Sequence, residues 1–194
     1  MTDRVARRPH GREARSVYGA DDIHSFAWEP VLTALDLKPE DRLLDVGCGG
    51  GVFLCRALES GCEATGLDHS REMVRLARET TAGAALIVHG DSASLPFHDQ
   101  EFTAISCIVA FFFFNEPAEV LREFRRVLDR ERGRIAVYTT PAEMKGTPAA
   151  PYPLATRGHF YEDAELEELA RTAGFAESRL TRPGTGGQLL AASR

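Results

Sequence analysis

Apolar positions along the chain alternate between two rhythms. Short, nearly unbroken apolar runs occur at Leu43-Leu44-Asp45-Val46, Ala64–Leu67, Leu86-Ile87-Val88, Ile105–Ala110 and Ile135-Ala136-Val137. Runs of this length read as strands buried on both faces of a parallel sheet. Between them the apolar residues return at helical spacing. Val52–Leu58 predicts a short helix stopped by Ser60-Gly61, and a further helix starts near Ser70 with Met73, Val74, Leu76 and Ala77 inward. Residues 118–128 turn Val120, Leu121, Phe124, Val127 and Leu128 to one side and Arg122, Glu123, Arg125 and Arg126 to the other. A helix is expected from about Glu162 to Ala173, with acids in its first turns, Arg171 near its end and Gly174 just beyond. Strands at 175–182 and 187–193 close the pattern, which gives an α/β fold of seven strands.

The densest punctuation follows the first strand. Asp45-Val46-Gly47-Cys48-Gly49-Gly50-Gly51 runs from that strand through a glycine turn into the helix at Val52. A strand, a glycine turn and a helix N-terminus make a nucleotide-type site at the carboxyl edge of a sheet, where main-chain amides can approach a ligand. The dinucleotide fingerprint requires glycine where this chain has Val52, which argues against NAD and FAD.

This stretch resembles the D-x-G-x-G-x-G motif of class I S-adenosylmethionine (SAM) methyltransferases, of the small-molecule type. The resemblance covers residues 31–194 and implies a doubly wound, Rossmann-like three-layer sandwich. Its seven-stranded, mostly parallel sheet would end in an antiparallel hairpin. SAM is the implied cofactor, with S-adenosylhomocysteine (SAH) as its product. The resemblance places Asp45, Gly47, Cys48, Gly49 and Gly51 around the methionine end of SAM. Asp68 ends the second strand, 21 positions beyond Gly47. Its two oxygens suit the ribose diol, and the competing reading is a cap for the helix at Ser70. His69 and Met73 are candidates for the adenine side, the Met also fitting simple core packing.

His89-Gly90-Asp91-Ser92-Ala93-Ser94-Leu95-Pro96-Phe97 resembles the family's G-D-A-x-x-L-P-F segment. By that likeness Asp91 accepts from the adenine amino group, with Ser92 and Ala93 beside it; the competing reading of Asp91 is a turn cap. The fourth strand begins near Phe102, with Thr103 where the family commonly has Asp, and Ile108 is expected close to SAM. Strand alternation would send Phe111 and Phe113 to one side and Phe112 and Phe114 to the other, with one or two facing the acceptor.

Methyl transfer from a sulfonium needs an aligned nucleophile and exclusion of water, and a base only if the acceptor must lose a proton. His159 is the named candidate base, with His24, Tyr161 and Tyr18 as alternatives and His89 and His98 ranked below. After the fourth strand the chain reads Phe113-Phe114-Asn115-Glu116-Pro117, without the N/D-P-P-Y/F motif of enzymes that methylate exocyclic amines of bases or glutamine side chains. A small-molecule acceptor is therefore expected, selected by residues 1–30 and by the loop at 141–161. The alternatives are a SAM-binding module without catalysis and a fold relative running another reaction.

Composition narrows the partners. The formal net charge is −6, which disfavours nucleic acid. No apolar run reaches membrane-spanning length, and the basic start leads into no apolar stretch of a secretory signal. Cys48, Cys55, Cys62 and Cys107 contain no C-x-x-C pair, so no metal site is expected and the thiols read as reduced in the cytoplasm. The chain is expected to act as a monomer or homodimer. Residues 1–30 stand apart as an N-terminal arm, five Arg against Asp3 and Glu13 in the first fifteen. Tyr18, His24, Phe26 and Trp28 there read either as a lid over the cofactor or as a segment docked on the sheet. Pro30 is expected to open a helix reaching Leu35.

Overall fold

In the computed structural model the described residues are 23–148, 150–152 and 154–194. Tyr18 and most of the basic arm lie outside them. Seven strands form one sheet: β1 (Arg42–Val46), β2 (Glu63–Asp68), β3 (Leu86–His89), β4 (Ala104–Ile108), β5 (Arg134–Thr139), β6 (Glu177–Thr181) and β7 (Gln188–Ser193). Their spatial order is β3-β2-β1-β4-β5-β7-β6. The first five run parallel, and β7 pairs antiparallel with both β5 and β6, as the expected terminal hairpin.

Among the described residues five α-helices occur: α1 (Trp28–Leu35), α2 (Val52–Leu58), α3 (Arg71–Thr81), α4 (Pro117–Val127) and α5 (Asp163–Thr172). Strand alternation builds the two faces they cover. Leu44, Val46, Ile105, Cys107, Ile135 and Val137 pack with Val120, Leu121 and Phe124 of α4 and Leu166 of α5. Their strand neighbours Leu43, Ala104, Ala136 and Tyr138 point the other way, onto Val31 and Leu35 of α1 and Phe53 of α2. The sheet is thus buried on both sides, which is why its strands read as continuous apolar runs.

Two expectations need correction. Helix α1 begins at Trp28 rather than Pro30. Proline is still accommodated there, because the first four amides of a helix have no intrahelical acceptor. The phenylalanine run does not continue β4 either. Val109 turns the backbone left-handed (φ 54°), and Phe111–Phe113 form a 3₁₀ turn. Phe111 and Phe112 are buried while Phe113 and Phe114 are only partly so, and alternation across a sheet does not apply.

Thr103, which replaces the family's common acid, works at the edge of the sheet away from the glycine turn. Its hydroxyl donates to Asp41 Oδ1 at 2.6 Å and accepts from Arg42 N at 3.0 Å. Arg134 Nη2 meets Asp41 Oδ2 at 2.6 Å. Burial pushes the Asp41 carboxyl up. Hydrogen bonds from Arg134, Thr103 and the Lys38 amide outweigh it and hold the group down at about 2.

Candidate functional site

A cavity of about 640 Å³ opens at the carboxyl ends of β1–β4. Sequence order reverses across the sheet between β1 and β4, the position where open α/β sheets bind ligands. Of the residues singled out in the sequence, Asp45, Gly47, Cys48, Gly49, Asp68, His69, Asp91, Ser92, Ala93 and Ile108 all line it. Gly51, Met73 and His159 do not.

Each of those three has a physical reason to lie elsewhere. Gly51 caps α2 in a left-handed conformation (φ 81°), and a Cβ there would come within 3.0 Å of Ala77 on α3. It lets two helices approach rather than a ligand. Met73 is fully buried beside Leu76. His159 is exposed, its Nε2 2.7 Å from Glu165 Oε1 while its amide donates to Phe112 O. Tyr161 is buried among Phe111 and its neighbours, and burial raises its phenol well above the usual value, so it is no base either. Of the candidate bases, His24 and His89 line the cavity and His98 does not.

The glycine turn differs from its sequence reading in another respect. Its amides are mostly spent inside the protein. Gly47 N and Cys48 N donate to Leu67 O at 2.8 and 3.1 Å, Gly49 N to Asp68 Oδ2 at 3.0 Å, and Gly51 N to Cys48 O at 3.0 Å. The turn is a thin wall rather than a row of free donors. At Gly47 (φ 81°) an added Cβ would stand 2.7 Å from Ala110 Cβ, so glycine lets the loop after β4 close against it.

The carboxylates are held in fixed poses. Asp45 is 3% exposed and accepts from Ser106 Oγ at 2.7 Å. Asp68 is 5% exposed; Oδ2 accepts from Gly49 N and Oδ1 from Ser70 N at 2.8 Å. Ser70 Oγ, not Asp68, takes the Met73 amide and caps α3. An ionised carboxylate has about four acceptor positions, so Asp68 keeps capacity for two more donors. Burial raises its carboxyl above the ordinary value, against the lowering effect of those two amides and of His69. Asp91 is exposed at the cavity and fixed by the Ala93 amide at 3.0 Å. Arg126 of α4 holds the loop beyond it through Leu95 O and Phe97 O at 3.0 and 2.9 Å.

The sequence reading missed much of the other wall. Phe53, Val109, Ala110, Asn115, Glu116 and Val120 line it, with Phe113 and Phe114. These residues follow no ligand motif; proximity to the end of β4 was the one available signal. The segment leading into α1 and the first residue of that helix meet both the sheet and the cavity. Phe26 packs edge-on against Tyr138, centroids 5.9 Å apart, while His24 and Trp28 line the cavity. Trp28 Nε1 is buried without a hydrogen-bond partner among the described residues. Burial and the charges of Asp68 and Asp45 push the Cys48 thiol well up, and all four cysteines are free. Among the described residues no cluster of three or more metal-ligating side chains occurs. None of their helices is long and apolar enough to cross a membrane.

Residues 44–137 match the family described as methyltransferase domain. Among curated proteins, the demethylmenaquinone methyltransferase of Thermotoga maritima is 38% identical over 105 residues, covering 53% of this chain and 44% of that protein. The corresponding enzyme of Staphylococcus aureus strain MRSA252 is 34% identical over 112 residues, covering 54% and 46%. The chain thus spans less than half the length of these relatives. Among solved structures, a SAM-dependent methyltransferase from Aquifex aeolicus superposes with a TM-score of 0.76 at 21% identity, over 90% of this chain and 93% of that one. The [4+2]-cyclase SpnF superposes at 0.71 with 20% identity, over 86% and 80%. The fold alone therefore does not choose a reaction.

A methyltransferase domain is thus matched over residues 44–137, just under half of the chain; this stretch carries β2, β3, β4 and most of β1 around the cavity, on a fold shared with a SAM-dependent methyltransferase. The two curated relatives it resembles over about half of its length are named as demethylmenaquinone methyltransferases.

Proposed function

We propose that the protein transfers the methyl group of SAM to a small-molecule acceptor and releases SAH. The observation that carries this reading is Asp68. It is a buried carboxylate at the end of β2, pinned by two amides, with acceptor capacity left over at a cavity wall. That arrangement suits a vicinal diol, as in ribose. Asp91 then takes the adenine amino group, with Ser92 and Ala93 along the ring. Asp45, Gly47, Cys48 and Gly49 surround the methionine end, and Ile108 passes beneath the cofactor.

SAM brings an electrophilic methyl on a sulfonium, a leaving group that needs no acid from the protein. The residues of the chain hold and align. Phe113, Phe114, Val109 and Ala110 exclude water on the acceptor side, and the loop after β4 fixes the direction of approach. Of the histidines on the cavity wall, His24 is the one on the segment leading into α1, away from the adenine end, and it replaces His159 as the candidate to receive an acceptor proton. The acidic balance supports a metabolite rather than a nucleic acid as partner, and four free thiols support the cytoplasm as the site of action. A monomer or homodimer suffices for such a site.

The test is a metabolite panel incubated with SAM and scored for SAH release, beside titrations with SAM, SAH and NAD. SAM and SAH binding without NAD binding, with SAH release on at least one acceptor, is the expected result. Binding without release on any acceptor would leave a sensor module, and product without SAH release would indicate another reaction on the same fold.

A further inference from the structure

The charges on the cavity wall are of one sign. Asp45, Asp68, Asp91 and Glu116 line it, and among the described residues no Lys or Arg does. An anionic acceptor such as a carboxylate or phosphate would meet four acids and, among the described residues, no Lys or Arg. Three of these acids belong to the cofactor end: Asp45 lies in β1, Asp68 ends β2 and Asp91 follows β3. Each already has a hydrogen-bonding partner inside the protein.

Glu116 is different. It stands beyond β4, as the residue before α4, yet its side chain makes no capping hydrogen bond. Nor is it paired with a cation among the described residues: Arg122 goes to Glu119, and Arg126 to Glu123 and Asp99. The same cavity is lined by aromatic side chains, Phe113 and Phe114 three and two residues before it in the chain, and Trp28. A carboxylate next to aromatic faces is the combination that recognises an organic cation.

Resting on the reading of this cavity as a SAM site, we propose that the acceptor carries a protonated amine or other organic cation, held by Glu116 against Phe113 and Phe114. The inference concerns the charge that is recognised, not the atom that is methylated. The competing use of Glu116 is to favour the sulfonium of SAM itself, and the experiment separates the two.

The experiment saturates the full chain with SAH, whose sulfur is neutral. Three probes of matched ring and chain are then titrated by calorimetry at low ionic strength: phenethylamine, phenethyl alcohol and phenylpropionate. The amine is expected to bind about tenfold more tightly than the alcohol, and more tightly still than the acid. In Glu116→Gln that preference should fall to within about twofold, the retained SAH titration showing that the variant is folded. Equal or tighter binding of the alcohol or acid, or no amine binding to the SAH complex, overturns the proposal and leaves the cofactor reading standing. A variant that loses SAM affinity relative to SAH but keeps the amine preference overturns it too and gives Glu116 to the sulfonium. Failure of SAH to bind the native protein would refute the cofactor reading, and this inference with it.

Discussion

The cavity has two unlike halves. At the ends of β1, β2 and β3 the wall is made of backbone and short side chains locked by internal hydrogen bonds: Gly47 and Cys48 to Leu67, Gly49 to Asp68, Asp68 to Ser70. Beyond β4 the wall is a turn of large side chains, Phe113, Phe114, Asn115 and Glu116, hung from the left-handed Val109. The first half tolerates little change because its residues are tied into the fold by those hydrogen bonds. The second can change its side chains on a retained backbone. A fold that keeps one half and varies the other hosts many acceptors, and reactions other than methylation, on one cofactor scaffold.

Breaking the rigid half should have the largest effect. In Gly47→Val the new side chain meets Ala110 at a backbone angle that β-branched residues avoid, costing about 1–3 kcal/mol in strain alone. SAH binding is expected to vanish in calorimetry, with folding followed by circular dichroism. Asp68→Asn comes next. Losing the charged acceptor of two hydroxyls should weaken SAH by about 2–3 kcal/mol. In the native protein SAH affinity should fall on acidification from a pH above the ordinary carboxylate value, since burial raises this group and the protonated form accepts less well.

The Asp41–Arg134–Thr103 cluster sharpens the contrast, because it lies away from the cavity and supports the sheet alone. Its carboxyl is held at about 2 in the folded chain, below its ordinary 3.8. The stabilisation it provides is therefore complete above about pH 5 and is lost progressively as pH falls through about 2, amounting to roughly 2 kcal/mol. Urea unfolding of Asp41→Asn should show that loss at neutral pH, and SAH affinity of the folded fraction should be unchanged. In the variable half, Phe114→Ala should leave SAH affinity within about twofold while lowering kcat/KM for the acceptor. His159→Ala should do least. Its exposed pairing with Glu165 is the kind worth under about 1 kcal/mol, and activity should remain within about twofold.

The same contrast explains what could be read from the chain. The sheet was legible because its strands are buried on both faces and so appear as apolar runs. The place of Asp68 and Asp91 on the cavity wall was legible because strand ends fix where a carboxylate can stand. The role of Gly51 was not, since a glycine that admits a ligand and one that admits Ala77 of a neighbouring helix look alike in sequence. Phe111–Phe113 misled because nothing local announces that Val109 reverses the backbone and replaces a strand with a 3₁₀ turn. His159 misled because its position after a proline-rich loop carries no information on its pairing with Glu165. Glu116 carried no role in the sequence beyond its place after the fourth strand, and only the third dimension puts it on the cavity wall.

A crystal structure of the protein with SAH measures the central claim directly. The account predicts both ribose hydroxyls within hydrogen-bonding distance of the Asp68 carboxylate, the adenine amino group on Asp91, and the sulfur turned toward Phe113 and Phe114. Nucleoside bound elsewhere, or a cavity closed by its own side chains at millimolar SAH, would contradict it.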